Sequence, residues 1–173
     1  MRHAQRWHME HPDSSVIRSA AVGAGAGIGA TVVMSALMLA GRRAGLTGEL
    51  PPERIAREAV QATTGRAARP GEEHAIATIG HFGFGAVAGA LYGILTRESR
   101  GGAAAAARSG IVFATGIWLV SYQGLVPGLH ILPPASRDRP GRVATMIAAH
   151  WVYGAILGIA TNRLRDAFTT PRG

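Results

Sequence analysis

The chain has 173 residues, enough for one domain, and its 47% hydrophobic content would suit an ordinary soluble core. All 18 basic residues are arginine and ten acids oppose them, for a net charge of +8. These arginines border apolar runs instead of gathering with aromatics on one face, which argues against a nucleic-acid surface, and the absence of cysteine excludes disulfides, thiolate metal sites and thiol catalysis.

A mean hydropathy of only +0.16 conceals sharp segregation, because almost every charge falls in five polar stretches separated by four uncharged runs. Residues 1–18 read as a polar, disordered leader, whose His3, His8 and His11 are not expected to form a metal site. The first run, Ser19 to Ala40, has 22 residues without an ionisable side chain, enough for about 33 Å of helix. That length crosses a hydrocarbon core of about 30 Å. The match of Gly25-Ala26-Gly27-Ile28-Gly29-Ala30 to a dinucleotide-binding pattern is a decoy, since neither the preceding strand nor the βαβ unit it needs is present. After the first run, Pro51-Pro52 opens a stretch in which Ile55, Ala56, Ala59 and Val60 share one face, which predicts a short interfacial helix.

The second run, residues 75–96, is interrupted only by His81; the third, 109–127, ends at the turn-forming Pro127-Gly128. The fourth, 143–162, contains His150. None of the four carries outward charge at helical spacing, as a soluble bundle would. The expected fold is therefore all-α: a polytopic membrane protein with a four-helix transmembrane domain over 19–162 and a polar tail over 163–173. Orientation is nearly balanced, with nine arginines on each side. Arg97, Arg100, Arg163 and Arg165 beside the spans favour cytoplasmic termini.

Two copies of a two-helix unit are visible. His81-x3-Gly85-x3-Gly89 recurs as His150-x3-Gly154-x3-Gly158, with Arg-Pro-Gly and Leu-Pro-Pro ahead of each copy, and Ala30-Thr31 is matched to Ala114-Thr115. Copies with an even number of crossings enter from the same side, which predicts a pseudo-twofold axis along the membrane normal and equal depth for the two histidines. Small residues at every fourth position suit close helix contact in lipid. Gly23, Gly27, Thr31 and Ser35 form such a stripe, as do Gly85, Gly89 and Gly93, and Gly154 and Gly158. On the third helix the candidates are Gly124 and Gly128, with Thr115, Ser121, Tyr122 and Gln123 as interhelical hydrogen-bonders. These stripes are read as internal packing seams that also offer a homo-oligomer contact.

Three readings of His81 and His150 stand open. Each could bond across the repeat interface; the pair could ligate a b-type haem, with glycine one turn away leaving room for the flat ring; or both could join Tyr92, Tyr122 and Gln123 in a proton or solute path. No catalytic grouping, metal cluster or phosphate loop converges anywhere. A non-enzymatic protein without a metal site, partnered by the lipid bilayer and not by nucleic acid, is expected.

Several of these features together resemble the YagU-like bacterial inner-membrane proteins, small polytopic proteins without an assigned molecular activity. The resemblance is carried by the small-residue first helix, His81 with Tyr92, Pro127 with Pro133-Pro134, His150-x-Val152 followed by an aromatic, and Arg163-Leu164-Arg165. It spans Gly23 to Arg165. It implies a multi-pass protein of the bacterial inner membrane and supplies no catalytic residue.

Overall fold

A computed structural model describes residues 12–69, 71–99, 101–131 and 133–169. The leader's His3, His8 and His11 lie outside them. Four long helices follow from the four uncharged runs: α1 (Pro12–Arg43), α3 (Glu72–Leu95), α4 (Ala103–Trp118, continued to Gly128) and α5 (Pro140–Thr169), with the shorter α2 (Pro51–Thr64) between the first two. No strand occurs among the described residues. Each long helix, α4 taken with its continuation, is long and apolar enough to cross a membrane, so the chain has the build of a membrane protein.

The helices outrun the apolar runs that announce them. At 32 residues α1 reaches about 48 Å, and it begins at Pro12, where a proline suits a first helical position. Residues 12–18 therefore belong to the helix and not to a disordered leader. Likewise, α5 continues through Asn162 to Thr169, so most of the expected polar tail is helical. Nothing in either polar segment breaks a helix, and a span already nucleated propagates into water at little cost.

The third span holds a deformation. Pro127 has no amide hydrogen for the Gln123 carbonyl, and its ring crowds that carbonyl. The helix widens to π geometry over Leu119–Leu125, with the Val126 amide bonded to the Ser121 carbonyl, and closes with one α turn at Val126–Gly128. Pro127 thus sits inside the helix instead of ending it.

Helices α1 and α3 pack antiparallel, α4 and α5 likewise, and α1 lies closely along α5. The segments 44–69 and 133–139 share one end of the bundle, while residues 96–99, the start of α1 and the end of α5 share the other. The core is unusually rich in small, sulfur and aromatic side chains, including Ala26, Ala30, Met34, Met38, Tyr92, Ala114, Trp118, Tyr122, Met146 and Tyr153, with Leu157 the one large aliphatic of the central cluster among the described residues. Large aliphatics point outward instead: Ile79, Val87, Val112 and Val120 are each at least 70% exposed. An apolar exterior around a small-residue core suits lipid as the surrounding solvent.

The expected twofold axis does not describe this packing. It would exchange α1 with α4 and α3 with α5, so that α3 and α4 would meet as α1 and α5 do. Instead α1 lies closely along α5, where a Cβ on Gly41 would lie 2.6 Å from the Thr145 side chain, and α3 and α4 have no comparable contact. Between α3 and α4 stands the Tyr92 ring, tilted against Phe113 at 5.3 Å.

Candidate functional site

The small-residue positions meet in two seams. A Cβ built on Gly23 or Gly27 would overlap the backbone of Gly89 or Gly85; one on Gly93 would overlap the Ser19 carbonyl. Thr31 fills the space above Gly85 and returns its own hydroxyl to the Gly27 carbonyl at 2.8 Å. In the second seam Gly154 lies against Gly110 and Gly158 against the Ala106 carbonyl. The α4 contribution is therefore Ala106-x3-Gly110-x3-Ala114. Gly124 and Gly128 have open space where a Cβ would go. The overlooked stripe has the same four-residue spacing, partly hidden in an alanine run that Arg108 interrupts.

Across the bundle, α5 is tied to α3 by polar contacts that set their register. Tyr153 donates to the Gly85 carbonyl at 2.9 Å over a separation of 68 residues, and Arg165 donates to the Thr96 carbonyl at 2.7 Å over 69. The helices run parallel with nearly constant offset. His81 and His150, also 69 apart, consequently fall at one depth.

Neither histidine bonds across the interface. His150 Nδ1 lies 2.7 Å from the Met146 carbonyl of its own helix, and His81 Nε2 is buried without a hydrogen-bond partner. A Thr or His carbonyl contact one turn back is the local alternative to a partner on another helix. The glycines one turn away, Gly85 and Gly154, are covered by Thr31 and by the Gly110 backbone. The room that a macrocycle was expected to find there is taken by neighbouring helices. Among the described residues no group of three or more His, Asp or Glu is arranged to hold a metal ion.

Tyr92, Tyr122 and Gln123 do not converge either. The Tyr92 hydroxyl meets Ser109 Oγ at 2.6 Å and the Ala106 carbonyl at 3.3 Å, beside the start of α4. Tyr122 lies four turns further along that helix, about 24 Å away. There it stacks on Trp118 and donates to Asp138, while Gln123 Oε1 accepts the Ala135 amide at 3.0 Å. Of the other expected hydrogen-bonders, Thr115 accepts from Trp151 Nε1 of α5 at 3.2 Å, and Ser121 returns to the Ile117 carbonyl.

The tyrosines belong to two polar clusters at opposite ends of the bundle, each built around an arginine of α5. At one end Arg142, only 9% exposed, donates through Nε to the Thr47 carbonyl at 2.8 Å and pairs with Asp138 at 3.1 Å. Tyr122 and the Arg139 amide complete the carboxylate's shell. The π-helical turn carries Tyr122 into this position. At the other end Arg165 donates to the carbonyls of Gly93 and Thr96 and to Thr96 Oγ1, capping α3. Beside it a cavity of about 190 Å³ is lined in part by Tyr92, Ser109, Thr161 and Arg165. A second cavity, bounded by Arg18, Val22 and Phe168 among others, lies on the outer side of the same end. Neither is lined by His81 or His150.

Outside the spans, α2 folds against the start of α3 and buries Ala56 and Val60, while Ile55 and Ala59 stay exposed. Gly65 ends it in the left-handed region at φ 70°, donating its amide to Gln61. Ion pairs fasten this layer: Arg42 to Glu53 and Arg57 to Glu49, each at 2.6 Å, and Arg66 to Glu72 at 2.8 Å. The hydrogen-bonded Arg57 guanidinium holds the Glu49 carboxyl below its usual range.

The chain matches no curated protein and no solved structure. A family model covers residues 17–171, which includes all four apolar runs, α2 and both arginine clusters. On that match the chain belongs to the family of unknown function DUF6789.

Proposed function

We propose that this protein is a non-enzymatic integral membrane protein whose glycine faces hold its own helices together, built from two related helical hairpins. The observation that carries this reading is the pair of seams in which Gly23 and Gly27 touch the backbone of Gly89 and Gly85, and Gly110 that of Gly154. The seams also support the repeat with a revised alignment. Gly27 stands to Gly85 as Gly110 stands to Gly154, so Thr31 corresponds to Ala114, one residue from the Thr31–Thr115 match suggested by sequence.

Because the stripes are consumed within the chain, a homo-oligomer formed through them has little left to use; assembly would need the outer faces. The α2 layer is read as interfacial, lying at the end of the bundle with Ala56 and Val60 turned inward. The inner membrane of a bacterium is the proposed location, on the resemblance to YagU-like proteins. Replacing Gly89 or Gly158 with leucine should lower thermal stability in detergent without changing oligomer size. Unchanged melting in both variants would overturn the packing role.

A redox reading retains one supporting observation, the unpartnered His81 Nε2 at the depth of His150. It predicts a Soret band that disappears in His81→Ala and His150→Ala. The conducting reading predicts flux into proteoliposomes sensitive to the same substitutions; the separation of Tyr92 from Tyr122 counts against a path through both.

A further inference from the structure

We propose that the cavity between the C-terminal ends of α3 and α5 and the first turn of α4 binds a phosphate group. Three independent features converge on an anion. The first is charge: Arg165 lines the cavity, and its bonds to Gly93 and Thr96 pin the guanidinium at the cavity wall. The second is the helix end. Gly101, Ala105 and Ala106 of the wall belong to the start of α4, a helix of 16 residues whose N-cap, Gly102, supplies no side-chain hydrogen bond. The amides and positive dipole end of such a terminus favour an anion.

The third feature is the lining itself. Tyr92, Ser109 and Thr161 contribute hydroxyls, the first two already bonded to one another and to the Ala106 carbonyl, Asn162 contributes an amide, and no carboxylate is among the described lining residues. Thr161 is 1% exposed, and its Oγ1 has no hydrogen-bond partner among the described residues. Buried hydroxyls are ordinarily bonded, in helices commonly to the carbonyl one turn back. An unmet hydroxyl beside a cationic, hydroxyl-lined cavity suits a ligand rich in acceptor oxygens. The volume of about 190 Å³ admits a phosphate with part of a glycerol. The cavity lies where the apolar run of α3 ends, at the level expected for lipid headgroups. The phosphate could therefore come from an anionic phospholipid or from solution.

The full-length protein in a maltoside detergent is the material for the test, with the melting temperature followed against three additives: inorganic phosphate, phosphatidylglycerol and diacylglycerol. A saturable stabilisation by phosphatidylglycerol but not diacylglycerol identifies a headgroup site. Stabilisation by inorganic phosphate identifies a site for the free anion, and both together identify the shared phosphate chemistry. Ser99→Glu puts a negative charge on an exposed lining residue; it should raise the half-saturating concentration about tenfold or more and leave the ligand-free melt unchanged. Arg165→Gln should do the same at some cost in stability, because it also uncaps α3. The proposal is overturned if neither phosphate compound stabilises the protein, or if Ser99→Glu binds them as the parent does.

Discussion

Gly89→Ala adds one methyl group where the backbones of α1 and α3 touch. Its carbon would lie 2.8 Å from Gly27 Cα and 3.1 Å from the Gly23 carbonyl carbon, against about 3.5–4.0 Å for an ordinary carbon contact. Both neighbours are helix backbone and cannot rotate aside, so the helices must separate by about 1 Å. Overpacking of this kind costs about 1–3 kcal/mol, and a gap of that size forfeits roughly a quarter to a half of the dispersion energy along the seam. Alanine returns up to about 1 kcal/mol of helix propensity, which leaves a net loss of about 1 kcal/mol. Gly83→Ala is the matched control. It lies on the same helix with nothing within 4 Å of its added carbon, and should be neutral or stabilised by up to about 1 kcal/mol. The propensity gain is common to both variants, so they should differ by the overpacking alone, about 2 kcal/mol, roughly thirtyfold in the unfolding equilibrium. Titration of the purified protein with a denaturing detergent, followed by circular dichroism, measures this difference. Equal stability within about 0.5 kcal/mol would refute close backbone packing as the role of Gly89.

Arg142→Ala should destabilise the protein by about 3 kcal/mol or more, because it strands Asp138, whose side chain is 3% exposed; Asp138→Asn should cost less, and thermal melting of both variants checks the order. The Glu49 carboxyl is held below its ordinary value of 4.5 in the folded protein. Its contribution is complete above that value and is lost as pH falls through the depressed one. The protection factors of amides between residues 49 and 60, corrected for intrinsic exchange, should therefore fall in acid, and Glu49→Gln should remove that fall. With no room for a ring beside Gly85 or Gly154, the purified protein should be colourless when expressed under haem-sufficient conditions; a Soret band would overturn that expectation.

The spans were legible because hydrophobicity and charge are segregated on the scale of a bilayer, and their ends were misplaced for the same reason. Asp13 to Arg18 and Arg163 to Phe168 are polar yet helix-compatible, and the boundary of a solvent is not the boundary of a helix. The stripes on α1, α3 and α5 could be read from four-residue spacing. That on α4 was missed because Ala106 and Ala114 look like any alanine, whereas Gly124 and Gly128 catch the eye beside Pro127. Arg142 and Asp138 were beyond sequence reasoning. Their i, i+4 spacing is visible, but the Thr47 carbonyl that anchors Arg142 is 95 residues away, and no local pattern announces a backbone acceptor. His81 and His150 were found by their rarity within the spans, while their bonding partners depended on side-chain directions that spacing does not specify.

Helix α5 touches every other span: α4 through Gly154 and Gly158, α1 through Thr145, and α3 through Tyr153 and Arg165. It is also the last of the four spans to be made. Helices inserted one after another can associate only once their partners are present, so α1 and α3 can join early while α4 waits in lipid with its small-residue face uncovered. Closure of the bundle is thereby deferred until α5 has been made. A chain truncated before Pro140 would carry three spans, one folded hairpin and a single helix with nothing to meet.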